Sequence, residues 1–67
     1  MKIYESYTKE LVRECETQSE VTEFIAGEAT ELNYGIFRKW QIDDTVYNDC
    51  GPVTYFYSKS EFEKLPE

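Results

Sequence analysis

The oxygen-bearing side chains Asp43, Asp44, Asn48 and Asp49 crowd one short stretch, and such a set could ligate a hard cation such as Ca²⁺. Their spacing departs from the D-x-D-x-D-G order of the EF-hand loop, so turn chemistry is the better account, because Asp and Asn side chains bond their own backbone. The same carboxylates could serve hydrolysis only with a metal or a second placed acid, and the sequence shows neither. The chain has no histidine, the side chain most used for proton transfer near neutral pH, and neither Cys15 nor Cys50 has an evident base partner. Gly27, Gly35 and Gly51 are isolated and form no phosphate loop, and there is no cysteine or histidine cluster for zinc. The expectation is a protein without catalytic residues, metal or cofactor, whose chemistry is that of contact with another macromolecule.

Two constellations suit contact. A helix read at 18–32 carries Glu20, Glu23, Glu28 and Glu31 and no basic residue. At 100° per residue Glu23, Glu20, Glu31 and Glu28 fall at about −60°, 0°, 20° and 80°, one flank, while Val21, Leu32, Ile25 and Ala29 span about 100° to 180°. Phe24 projects between Glu31 and Glu28, so an aromatic ring stands inside an acidic frame, the make-up of a binding anchor. The alternative is that Phe24 sits at the core edge and the glutamates are a solvated face, partly neutralised by Arg38 and Lys39. The second constellation sets Asp43, Asp44 and Asp49 near Tyr47, Tyr55 and Tyr57; tyrosine is enriched at interfaces and is also an ordinary strand residue. The candidate protein-binding residues are Glu20, Glu23, Phe24, Glu28, Glu31, Asp43, Asp44, Tyr47 and Asp49.

The elements that must position these residues follow from local patterning. Lys2 to Tyr7 and Leu11 to Glu16 read as a β-hairpin turning at Thr8-Lys9-Glu10, with a longer connection or a helical start as the alternatives. Thr17-Gln18-Ser19-Glu20 matches a capping box and opens the helix; Asn33-Tyr34-Gly35 supplies its stop. Ile36 to Ile42 reads as a strand ending in an Asp43-Asp44 turn, Thr45 to Tyr47 as a short paired piece, and Asn48-Asp49-Cys50-Gly51-Pro52 as a loop. Val53 to Tyr57 resumes as a strand after a proline that cannot donate to a ladder. Ser58-Lys59-Ser60-Glu61 is a second capping box, leading into a short helix with Phe62 and Leu65 that Pro66 ends. The predicted fold is therefore α+β, a small antiparallel sheet of about four strands in β-β-α-β-β-α order. The two caps also suggest two unequal β-β-α units, with convergence on one cap as the preferred reading.

With 67 residues the chain makes one domain, 1–67, around one marginal core. Six Tyr, four Phe and one Trp supply apolar surface that suits either that core or a homodimer interface. A net charge of −7 repels phosphate backbones, which argues against direct binding of nucleic acid or of an anionic membrane and points to a basic partner. Acidity that serves only solubility is the competing account. No run is apolar enough to span a bilayer and the opening residues lack a signal-peptide stretch, so a cytoplasmic protein is expected, with Cys15 and Cys50 unpaired.

A hairpin followed by T-x-S-E-V-x-E-F-I from Thr17 to Ile25, high acidity and many tyrosines in fewer than 70 residues resembles, in style rather than by motif, the small accessory proteins of bacteriophages and mobile elements of Gram-positive bacteria. That resemblance implies an inhibitor of host defence, anti-restriction or anti-CRISPR, acting as a DNA mimic that presents carboxylates where a nuclease expects phosphates. The leading expectation is an inhibitor or modulator of a basic, nucleic-acid-handling host protein. The alternative is a structural or housekeeping interaction protein that forms oligomers.

Overall fold

The computed structural model describes residues 1–32 and 37–67. Its elements are β1 (Lys2–Glu5), β2 (Leu11–Glu14), α1 (Gln18–Leu32), β3 (Phe37–Ile42), β4 (Thr45–Cys50), β5 (Val53–Ser58) and α2 (Lys59–Lys64). The strands form one antiparallel sheet in the order β2-β1-β5-β4-β3. The α+β architecture is the one the sequence predicts, with a fifth strand that makes the order ββαβββα. The expected helix stop at Asn33-Tyr34-Gly35, and Ile36 at the expected strand start, lie outside the described residues.

The additional strand comes from the stretch read as a short piece and a loop. Thr45 to Cys50 pairs continuously with β3 on one side and β5 on the other, and the reversal is confined to Gly51-Pro52. Gly51 takes φ 81°, and proline holds its own φ negative; these signs belong to a two-residue type II′ hairpin turn, whose twist matches the flanking strands. Asn48 and Asp49 thus sit inside a central strand despite their turn preference. The second half of the chain consequently has three strands before its helix, and a simple doubling of β-β-α does not describe it.

The first hairpin forms, but its strands are shorter than the spans Lys2 to Tyr7 and Leu11 to Glu16, and the connection between Glu5 and Leu11 is longer than the expected turn, with Lys9 at a left-handed φ of 64°. The Glu5 carboxylate organises that loop, accepting from the Tyr7 N–H (2.9 Å), the Thr8 N–H (2.6 Å) and the Thr8 hydroxyl (2.7 Å). Donors converging on the ionised form, Thr8 foremost, hold the Glu5 pKa below its usual value.

α1 begins where the capping box places it. The Thr17 hydroxyl accepts the Glu20 N–H at 3.1 Å, and the Glu20 carboxylate reaches one residue beyond the cap to take the Glu16 N–H at 2.9 Å. The Gln18 N–H, a free donor of the first turn, is taken by the Pro66 carbonyl at 2.8 Å, so the C-terminal segment docks on the start of α1. Val21 and Ile25 are buried, and Ala29 and Leu32 pack at the core margin, the stripe that the periodicity predicts.

α2 is capped differently from its sequence signature. The Ser58 hydroxyl accepts the Glu61 N–H, but the carboxylate that serves the first turn comes from elsewhere in the chain rather than from Glu61. Asp44, in the β3–β4 turn, accepts from the Ser60 N–H (2.9 Å), the Ser60 hydroxyl (2.7 Å) and the Ser58 hydroxyl (2.7 Å). These bonds, those of Ser60 and then Ser58 first, depress the Asp44 pKa from its ordinary 3.8. A depressed folded-state value means that the carboxylate stabilises the fold above the ordinary pKa and that this contribution fades as pH falls through the folded value. Asp44→Ala should lower the melting temperature at pH 7, and the gap from wild type should close as both are acidified from the ordinary carboxylate value of 3.8 down through the depressed folded-state value, as read from paired thermal melts.

The two sheet faces differ. Ile3, Val46, Cys50, Tyr55 and Tyr57 point to the helical side and, with Cys15, Val21 and Ile25, make the core. Cys15 and Cys50 are both buried free thiols, and burial, followed by the nearby Glu28 and Asp49 charges, pushes the Cys50 thiol up. No helix among the described residues is long and apolar enough to cross a membrane.

Candidate interaction surfaces

The acidic flank of α1 divides into side chains used by the fold and side chains free for contact. Phe24 is half-buried and meets Tyr55 edge-on, with ring centroids 5.4 Å apart and planes at 74°. Glu28 accepts the Tyr55 hydroxyl at 2.7 Å. Burial, then this bond to an anion, drives the Tyr55 pKa far above that of a free phenol. Glu20 is held by its cap bond. Phe24 thus sits at the core margin, and the helix offers Glu23 and Glu31 as its exposed carboxylates on that flank.

Among the described residues, which include every charged side chain, a single ion pair forms, Lys59 Nζ to Glu63 Oε1 at 3.6 Å within α2. Arg38 and Lys39 do not reach the glutamates of α1. Strand alternation sends Arg38 to the helix-free face, while Lys39 lies on the helical face, where it lines a groove together with Ala26 and Ala29. The negative charge of the surface is therefore left mostly uncompensated.

The second predicted constellation is dispersed. Asp43 is a turn residue with φ 51°, Asp44 caps α2, and Asp49 lies toward the far end of β4. Asp49 accepts from the Trp40 indole N–H (3.1 Å) and from the Thr54 hydroxyl (2.6 Å). Tyr47 shares the helix-free face with Asp49, whereas Tyr55 and Tyr57 face the core. Among the described residues no group of three or more His, Cys, Asp or Glu could hold a metal ion.

Register assembles on the helix-free face a feature that sequence reasoning missed. Tyr4 pairs with Phe56, Phe56 with Tyr47 and Tyr47 with Trp40, which places one aromatic ring on each of four adjacent strands in a single row. Their ring centroids are 5.4, 5.8 and 4.3 Å apart in that order. Leu11, opposite Tyr4, continues the row onto β2, and Lys9 Nζ stands 5.2 Å from the centre of the Phe56 ring. Trp40 is 41 % and Leu11 49 % exposed, and no helix among the described residues covers the row. The available signal was the period-two alternation of β4 and β5, which separates Tyr47 and Phe56 from Tyr55 and Tyr57.

No protein-family model, curated protein or solved structure matches the chain.

Proposed function

We propose that this chain is an acidic protein-binding module, an inhibitor or modulator of the phage-encoded type, that occupies a basic, nucleic-acid-handling protein by presenting carboxylates in place of phosphates. The observation that carries the reading is the lone ion pair among 14 acidic and seven basic side chains, which leaves Glu23 and Glu31 exposed and without a cation. A phosphate-binding surface recognises closely spaced anions through Arg and Lys, and such encounters weaken steeply with salt.

Glu23→Lys together with Glu31→Lys tests this. Both positions point away from the core stripe, Lys has nearly the helix propensity of Glu, and a cation at position 31 suits the helix C-terminus, so circular dichroism should be unchanged. Capture of a basic nucleic-acid-handling partner from host lysate should be strong at low salt for wild type and abolished for the variant. A variant that holds its partner as tightly as wild type at low and physiological salt would exclude this flank.

The uncovered aromatic row favours a second reading, a structural or housekeeping protein that associates with its own copies through the helix-free face. Under that reading sedimentation should depend on concentration, and Trp40→Ser should weaken association while the glutamate reversals leave it intact.

A further inference from the structure

The sheet ends on β3, whose six residues are all exposed and on whose outer side no described strand pairs. The two-residue Asp43-Asp44 turn makes Ile42 and Thr45 a bonded pair, so by alternation Ile42, Trp40 and Arg38 exchange backbone bonds with β4. The N–H and C=O groups of Phe37, Lys39 and Gln41 therefore point outward. They form a row of donors and acceptors at the spacing of an extended strand.

The charge on this edge is opposite to that of the protein. β3 carries Arg38 and Lys39 and no acid, within a chain of net charge −7, and alternation sends the two cations to opposite sides of the sheet. Neither has an ion-pair partner among the described residues, which include every charged side chain. Asp49, directly across from Arg38 on β4, gives its two oxygens to the Trp40 indole and the Thr54 hydroxyl. The other edge strand, β2, is shorter, with four residues and one charge of each sign, Arg13 and Glu14. Charges of either sign would keep an edge from pairing with its like. In a chain with 14 acids and seven bases, bases alone on the longer edge do more than repel: they select an anionic strand.

We infer that β3 is a docking edge for an extended acidic segment of a partner protein, which adds to the sheet with one carboxylate on Arg38, the next on Lys39, and apolar side chains beside Phe37 and Trp40. The backbone edge requires a strand. Two cations on opposite faces require its acids to be neighbours in sequence, and Phe37 and Trp40, 48 % and 41 % exposed, set what flanks them. The edge uses neither Glu23 nor Glu31, so it stands or falls independently of the acidic flank of α1.

The probe is the blocked peptide Thr-Thr-Val-Glu-Glu-Val-Thr-Thr, at physiological salt, where charges more than about 8 Å away are screened. Two controls accompany it, one with Lys-Lys in place of Glu-Glu and one N-methylated at both glutamates, which keeps the charges and removes the edge-facing donor. The acidic peptide should give saturable ¹⁵N–¹H shifts along β3 and slow hydrogen exchange at the N–H groups of residues 37, 39 and 41, leaving 38, 40 and 42 unchanged. It should bind about tenfold or more tightly than the lysine peptide, and N-methylation should abolish the slowed exchange. Arg38→Glu with Lys39→Glu, at exposed positions, should reverse the preference between the two peptides. No saturable shifts, equal binding of the acidic and lysine peptides to wild type, or undiminished binding of the N-methylated peptide would each overturn the assignment, whether or not the double variant folds. Shifts of the same β3 amides when the free protein is diluted would also overturn it, since the edge would then be occupied by a second copy.

Discussion

Ile3→Ala is expected to lower the melting temperature by about 10–30 °C, a loss that brings the protein near unfolding at physiological temperature. Ile3 is 0 % exposed and lies on β1, between β2 and β5, so its side chain is enclosed by the sheet and by the core residues of α1. Truncating such a residue removes transfer energy and leaves a cavity, together about 2–5 kcal/mol. A domain of this length has roughly 3–10 kcal/mol in all, and each kcal/mol moves its midpoint by about 4–8 °C. Ile3→Val, which removes one methylene, should cost only about 0.5–1.5 kcal/mol. Calorimetry or circular dichroism melts of the two variants check the ratio. An alanine variant that melts within a few degrees of wild type would mean that the N-terminal hairpin is not part of the cooperative core.

Asn48→Leu should act in the opposite direction, raising the melting temperature by about 4–15 °C. The wild-type amide is buried with Nδ2 unpartnered, a state that costs about 1–3 kcal/mol relative to a satisfied or absent polar group. Leucine has the same branching and number of side-chain heavy atoms, and the adjoining groove takes up its bulkier methyl groups, so little overpacking is expected. A destabilised Asn48→Leu protein would instead mean that the amide is satisfied in solution.

Much of the fold was legible because local signals and the tertiary arrangement agree. The Thr17 cap and the Val21, Ile25, Ala29 stripe fixed α1 at both level and phase, and Pro52 marked the start of β5. Asn48-Asp49 was the failure. Both residue types prefer turns, and that preference yields to pairing on two sides, where every backbone group of the strand finds a partner. The alternation Val46, Asn48, Cys50 against Tyr47 and Asp49 carried the correct answer, obscured by an asparagine at a core position. The α2 cap shows a subtler limit: Ser58 and Glu61 have the right spacing, yet the acid that completes the cap is Asp44, brought in by the β3–β4 turn. Likewise, the aromatic row depends on the register between four strands, which no single segment contains. Asp44 and Asp49 are adjacent to the eye in sequence and separated by the length of β4 in space, so their proximity in the chain overstated a cluster.

β3 is the last strand of the sheet, with six residues and a backbone edge on which no described strand pairs. Such an edge is a template on which another chain could add and propagate an aggregate. Arg38 and Lys39 are its second and third residues and, by alternation, send one positive charge to each side of the sheet. A second β3 arriving antiparallel would bring its own pair against them, like charge facing like on both faces at once. The rim thereby resists growth into fibres even though Phe37, Trp40 and Ile42 on the same strand are among its most exposed apolar side chains. Neutralising both cations would remove that protection and leave an apolar, hydrogen-bond-hungry border open to polymerisation.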